Sequence, residues 1–270
     1  MNRLELKFKT LRKARKKAFI AFITAGYPDL ATTEKLIKEF DRIGVDVVEL
    51  GVPFTDPMAD GPVIQEASRE ALKKRVSLAG ILSLVKKVRG TSEIPLCLMT
   101  YYNPVFCFGE ARFIKQAASC GVDGIIIPDL PPDEGAAFMR LAAEAGVDTI
   151  CFIAPTSTPA RMKLAAKKAK GFIYYVSLTG VTGPRQALPA NLAANIRKIK
   201  SITAKPVCVG FGVSTPEQVR TICRVADGVI VGSAIVREIK EQRGNSDLVK
   251  KVGALVTFLK GKGKAHVSKN

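Results

Sequence analysis

Two carboxyl residues in one short stretch are the strongest candidates for chemistry in this chain. Glu49 interrupts a mainly apolar segment at 46–50, and Asp60 lies in the loop that follows it. A carboxylate inside an apolar strand is unfavourable unless it is paired, hydrogen-bonded or protonated. Glu49 could form an ion pair that only stabilises the fold. Its position at the C-terminal end of a strand favours a functional carboxyl instead.

Glycine-rich turns later in the chain are candidates for binding an anion. Gly210 and Gly212 end one apolar segment, and Gly232 with Ser233 ends the next. Glycine lets backbone N–H groups approach an anion closely, and the N-terminus of a following helix adds positive potential. The glycines could also serve only as tight turns. Two such turns in neighbouring units favour a phosphate site.

The elements that must position these residues repeat along the chain. Eight apolar segments of strand length occur at 19–24, 46–50, 94–99, 122–127, 148–153, 172–176, 206–210 and 227–231. Helical patterns lie between them, at 32–43, 78–88, 112–118, 133–145, 159–169, 189–200 and 216–225. The segments are continuously apolar rather than alternating, which is typical of a parallel sheet covered on both faces.

A short glycine signature supports the same architecture. The triplet Gly-Val-Asp occurs at 44–46, 121–123 and 146–148, each time after a helical pattern and before an apolar segment. Eight such units predict an α/β fold, a single (β/α)8 TIM barrel over residues 1–270. An open doubly wound sheet is the main alternative, but the glycines near 210 lack the third glycine of a dinucleotide fingerprint and come too late.

Charge and composition exclude several classes of protein. The net charge is +18, of which residues 1–17 carry +7 and residues 259–270 carry +4. We therefore predict a basic N-terminal helix at 1–17 and a basic tail at 261–270, with no nucleic-acid site. No segment reaches 18 apolar residues, so we expect no membrane span. The single histidine, His266, and six cysteines without a CxxC pair predict no metal site and a reduced, cytoplasmic protein.

The stretch 47–61 resembles the signature of the tryptophan synthase alpha-subunit family. The resemblance extends over essentially the whole chain, in motifs at 22–29, 99–104, 128–131, 154–157, 174–183, 209–214 and 231–234. Each motif alone is weak, but their number and order are specific. The resemblance implies retro-aldol cleavage of indole-3-glycerol phosphate to indole and glyceraldehyde 3-phosphate.

The resemblance also implies roles for individual residues. Glu49 would be the general acid and base, and Asp60 would accept the indole N–H. Burial should raise the pKa of Glu49, whereas Asp60, on a partly exposed loop, should stay ionised. Further matched positions would bind substrate: Phe22, Met99, Tyr101, Ile153, Tyr174, Thr182 and Phe211 at the indole, and Gly183, Gly212, Gly232 and Ser233 at the phosphate.

The resemblance further implies a partner and no cofactor in this chain. A beta subunit would carry pyridoxal phosphate and complete an alpha2-beta2 heterotetramer, touching the loops at 53–60 and 179–188. A Schiff-base aldolase would need a lysine near the C-terminal end of a strand, and Lys205 precedes its strand. A metal-dependent aldolase would need histidine and carboxylate ligands, which a chain with one histidine cannot supply. A catalytically idle subunit that only activates its partner stays open until an assay is made.

Overall fold

Eight parallel strands form a closed barrel in the computed structural model, which describes residues 1–176, 189, 191–210 and 212–262. The strands are β1 (Ala18–Thr24), β2 (Val47–Gly51), β3 (Leu96–Met99), β4 (Gly124–Ile126), β5 (Asp148–Ile153), β6 (Ile173–Val176), β7 (Val207–Gly210) and β8 (Gly228–Val231). Each pairs with the next along the chain, and β8 closes on β1. The predicted TIM barrel is confirmed, and each strand end lies within two residues of its expected position.

Twelve helices surround the strands in the part of the chain that the structure describes. They are α1 (Arg3–Lys13), α2 (Leu30–Arg42), α3 (Pro62–Lys73), α4 (Leu78–Arg89), α5 (Tyr102–Phe108), α6 (Glu110–Cys120), α7 (Ala136–Glu144), α8 (Pro159–Lys168), α9 (Leu192–Lys200), α10 (Pro216–Val225), α11 (Ser233–Glu241) and α12 (Leu248–Leu259). The sequence patterns did not identify α3, α5, α11 and α12. Residues 263–270 of the predicted tail, with His266, lie outside the described residues.

Helix α1 closes the N-terminal end of the barrel. It precedes the first strand, as predicted, and is shorter than the expected 1–17. Its spacing of i, i+4 and i+7 brings Leu4, Phe8 and Leu11 to one buried face. The Phe8 ring lies 5.6 Å from that of Phe172. This face packs against side chains inside the barrel, so the opposite, C-terminal end is left to carry the site.

The Gly-Val-Asp signature has a structural role that the repeat alone did not reveal. An aspartate just before one strand accepts a hydrogen bond from the backbone at the start of the preceding strand. In the first two triplets the bonds run from the Phe19 N–H to Asp46 (2.9 Å) and from the Leu96 N–H to Asp123 (2.9 Å). Asp227 lies before β8 outside any Gly-Val-Asp triplet and accepts in the same way from the Val207 N–H (3.0 Å). Asp148, in the third triplet, differs: its Oδ2 has no partner among the described residues, and burial raises its pKa to about 6.

Apolar side chains fill both faces of the strands. An inner cluster joins positions such as Ile20, Val47, Cys97 and Ile230, while a larger one lies between strands and helices. This arrangement is the reason for the continuous apolar segments. Across the described ranges, no helix is both long and apolar enough to cross a bilayer.

Candidate active site

A cavity opens at the C-terminal end of the barrel and contains seven of the predicted site residues. Its wall is formed by Phe22, Asp60, Ile64, Met99, Tyr174, Gly212, Val213, Ile230, Gly232 and Ser233. The residues come from both halves of the chain. Closure of the barrel brings them together because all parallel strands end at the same rim.

Glu49 lies on β2 directly beside this cavity. It pairs in register with Phe22 of β1, a cavity residue, and with Cys97 of β3. Its carboxyl is fully buried, and neither oxygen has a hydrogen-bond partner among the described residues. Burial raises the pKa of Glu49 from 4.5 to about 8. The group is therefore mainly protonated at neutral pH and can both give and take a proton close to that pH.

Asp60 is more buried than its loop position led us to expect. Only 7% of the residue is exposed, and burial raises the pKa of its carboxyl to about 6, although a hydrogen bond from Tyr101 opposes the rise. The expectation of a partly exposed group was wrong, because the loop folds back over the barrel rim. Asp60 N–H donates to the Pro57 carbonyl at 3.0 Å, and Gln65 Nε2 donates to the Asp60 carbonyl at 2.9 Å.

The hydroxyl of Tyr174 is affected by the charges of both carboxyl groups. Its ring lines the cavity, and burial together with the charges of Glu49 and Asp60 raises the pKa of its hydroxyl. The phenol therefore stays neutral and can act as a hydrogen-bond donor.

The glycine turns lie where an anion could meet backbone N–H groups. Gly212 has a φ of +70°, a left-handed conformation that disfavours other residues. Gly232 precedes the first turn of α11, and Ser233 begins that helix. Both turns line the cavity, and the second lies at the N-terminal, positive end of α11.

Some predicted residues are placed differently or fall outside the description. Tyr101 is buried behind Asp60 and is not part of the cavity wall. Ile153 is also buried and away from the wall, whereas the ring of its neighbour Phe152 lies 4.7 Å from that of Tyr174. Thr182, Gly183 and Phe211, with the loop at 179–188, lie outside the described residues.

Three cavity residues were missed by the sequence patterns. Ile230 faces inward on β8 two residues before Gly232, a spacing of 2 that could have identified it. Val213 follows a predicted glycine directly. Ile64 lies in the first turn of α3, a helix that the patterns did not identify. Among the described residues, no three His, Cys, Asp or Glu side chains are grouped to hold a metal ion.

Fold and site together define a TIM barrel of the enzyme type, with two buried carboxyls and two glycine turns around a cavity at the strand ends. Comparison with known proteins narrows this class. The model of the family described as "Tryptophan synthase alpha chain" matches residues 8–263. The chain belongs to this family.

Individual relatives agree along nearly their whole length. The tryptophan synthase alpha chain of Geotalea uraniireducens is 49% identical over 265 residues, 98% of this chain and 99% of the relative. A crystal structure of subunit alpha from Legionella pneumophila superposes with a TM-score of 0.90 at 38% identity, covering 96% of this chain and 97% of the other. A chain from a structure of the Pyrococcus furiosus tryptophan synthase a2b2 complex superposes with a TM-score of 0.85 at 38% identity. The match covers 90% of this chain and 98% of the other. Alpha chains of tryptophan synthase are lyases that cleave indole-3-glycerol phosphate in tryptophan biosynthesis, and this chain is one of them.

Proposed function

We propose that Glu49 moves the protons in the retro-aldol cleavage of indole-3-glycerol phosphate. The observation that carries this assignment is a buried carboxyl on β2, beside the cavity, that has no hydrogen-bond partner among the described residues. In the reaction, indole C3 gains a proton and its bond to the glycerol chain breaks. The hydroxyl on the released carbon loses its proton as it becomes the aldehyde. A carboxyl with a pKa of about 8 can donate the first proton and accept the second.

Asp60 is proposed to bind the indole N–H and to stabilise the ring when C3 is protonated. The protonated ring carries positive charge, and a carboxylate at the cavity wall lowers the energy of that state. With a pKa of about 6, Asp60 is mostly ionised at neutral pH, whereas Glu49 is mostly protonated. Two carboxyls with separated pKa values therefore divide the work of acid and counter-charge.

The rest of the cavity is proposed to hold the two ends of the substrate. Phe22, Met99 and Tyr174 offer apolar contact for the indole ring. The turns at Gly212 and Gly232 with Ser233 offer backbone N–H groups for the phosphate. Thr182, Gly183, Phe211 and Ile153 remain predictions from the family resemblance.

We propose that a tryptophan synthase beta subunit docks at the cavity end of the barrel, in an alpha2-beta2 assembly in the cytoplasm. Two large apolar side chains are exposed at this end: Met58 in the loop after β2 (79%) and Phe106 on α5 (66%). A partner that covers this end would bury both side chains. Pyridoxal phosphate is expected only in the beta subunit, because the alpha-chain family does not carry it.

The experiment that tests the assignment compares indole release by the purified chain and by two variants. Glu49→Gln preserves volume and removes the exchangeable proton, so we expect a loss of more than about 100-fold in kcat. Asp60→Asn should also be severely impaired, because an amide is a poor counter-charge. Glu93→Gln, at a side chain that is 76% exposed, is the matched control and should act like the parent. Glu49→Gln activity within a few-fold of the parent would contradict the assignment.

A further inference from the structure

The Tyr101 side chain joins three parts of the loop that carries Asp60. Its hydroxyl accepts a hydrogen bond from the Ala59 N–H at 2.9 Å and donates one to Asp60 Oδ2 at 3.2 Å. Its ring stacks on Phe54, with 5.2 Å between centroids and 28° between planes. All three contacts join residues more than 40 positions apart in the sequence. Tyr101 therefore connects this loop to the end of β3.

The backbone around Tyr101 is itself held by the barrel. Thr100 N–H donates to the Ile126 carbonyl of β4 at 3.0 Å, and Tyr102 N–H donates to Asp129 Oδ1 at 2.9 Å. Tyr101 also occupies the position before the first turn of α5. The hydroxyl therefore extends from a backbone held by the barrel to the loop that carries Asp60.

We infer that Tyr101 is a positioning residue for the proposed reaction: its hydroxyl holds the Asp60 carboxylate in place and favours the ionised form. The inference rests on the proposed role of Asp60 and replaces the expectation that Tyr101 serves as a wall of the indole pocket. Tyr101 is buried and is not among the cavity-lining residues, so it acts through Asp60 rather than on the substrate.

The electrostatics of the pair agree with its geometry. Burial raises the pKa of Asp60, and the Tyr101 hydrogen bond works against that rise. Burial and the Asp60 charge raise the pKa of Tyr101, so its hydroxyl remains a donor throughout the working range. The charge of Asp60 also raises the pKa of Tyr174 on β6, and the charge of Asp129 raises that of Tyr101. Both groups stay unchanged in the variants below.

The decisive variant is Tyr101→Phe, which keeps the ring and removes the hydroxyl. We expect kcat to fall about ten- to hundredfold, as for loss of a hydrogen bond to a charged group, with KM changed less than about threefold. The acid limb of the kcat/KM profile should move to higher pH, because Asp60 loses the bond that lowers its pKa. Tyr102→Phe is the matched control, since its hydroxyl donates to Glu110 at 3.0 Å and not to Asp60. Tyr102→Phe should leave the acid limb of the kcat/KM profile at the pH of the parent.

A double variant tests whether Tyr101 acts through Asp60. Tyr101→Phe combined with Asp60→Asn should be no slower than Asp60→Asn alone, because the bond is already weakened in the single variant. An additive loss would show that Tyr101 acts on the substrate directly and would overturn the inference. Phe54→Leu keeps the hydroxyl and removes the ring contact. An acid limb that shifts there as well would trace the effect to loosening of the loop, which also overturns it.

Failure of the inference and failure of the proposed function give different results. If Asp60→Asn is impaired while Tyr101→Phe has the kcat and acid limb of the parent, the positioning role is wrong and the assignment of Asp60 stands. If Asp60→Asn keeps parental activity, the proposed role of Asp60 fails, and the inference fails with it.

Discussion

The Tyr174 ring occupies the space that a side chain at Gly210 would need. A β-carbon at position 210 would lie 2.6 Å from the Tyr174 hydroxyl oxygen and 2.7 Å from its Cε1. Gly51 and Phe22 stand in the same relation, with 2.5 Å between a β-carbon at 51 and Phe22 Cζ. Two aromatic rings that line the cavity thus depend on the absence of a side chain on a neighbouring strand.

Gly210→Ala is therefore expected to impair cleavage without unfolding the barrel. The added methyl group must displace the Tyr174 ring, which moves it into the cavity and narrows the space for indole. We expect kcat/KM for indole-3-glycerol phosphate to fall by about tenfold or more, with a circular dichroism spectrum like that of the parent. Gly90→Ala is the control, because that exposed glycine has a φ of −64° and its nearest neighbour lies at 3.4 Å. Equal activity of both variants would show that the ring can move aside freely.

The buried Glu49 carboxyl should make stability depend on pH. Its pKa is about 8 in the folded protein and near 4.5 when unfolded, so the folded chain holds an extra proton between these values. Stability from this group is fully present below pH 4.5 and is lost as pH rises through 8. The parent loses this stability as pH rises, whereas Glu49→Gln does not. The unfolding free energy of the variant minus that of the parent should therefore increase by on the order of 2–5 kcal/mol from pH 5 to pH 8.5.

Urea unfolding at several pH values measures this difference. Asp60 and Asp148 also titrate in the range, with pKa values of about 6, but both are present in parent and variant and cancel. Glu93→Gln should show no such growth, because an ion pair with Arg3 lowers the pKa of Glu93 below the range. A parent–variant difference that stays constant with pH would mean that Glu49 is not held protonated.

The anion cradle predicts a specific effect on substrate binding. Gly232→Val adds a side chain at the start of α11, where the phosphate is proposed to bind, and its β-carbon would lie 3.2 Å from Phe22 Cδ1. We therefore expect KM to rise about tenfold or more with a smaller change in kcat. Gly232 is preferred to Gly212 for this test, since the φ of +70° at 212 would add backbone strain. Inhibition by inorganic phosphate should weaken in parallel. Gly90→Val, outside the cavity wall, should change neither constant.

The exposed apolar side chains predict where the partner docks. Phe106→Ser should weaken binding of a purified cognate beta subunit by about tenfold or more, because a buried aromatic anchor is lost. Leu6→Ser is the matched control: Leu6 is 51% exposed but lies on α1, at the other end of the barrel. Sedimentation with and without the partner measures the affinity, and indole release measures the coupling. Equal effects of both variants, or a turnover unchanged by saturating partner, would contradict the proposed docking face.

The sequence by itself determined the barrel and singled out its buried carboxyl, Glu49. Apolar segments repeat with helical patterns between them, and a parallel strand covered on both faces leaves this signal locally. Glu49 was found in the same way, because one carboxyl in an apolar strand is anomalous at any position. The glycine turns at Gly212 and Gly232 could be placed at strand ends without coordinates. The motif order was specific enough to indicate the family.

Only the tertiary structure decided what surrounds these residues. Tyr101 and Asp60 are 41 residues apart, and their hydrogen bond exists because β2 and β3 end at the same rim. The burial of Asp60, the space that Gly210 leaves for Tyr174 and the aspartates that hold neighbouring strand starts have the same origin. Residue patterns report periodicity along a single element, whereas these contacts depend on how separate elements meet when the barrel closes.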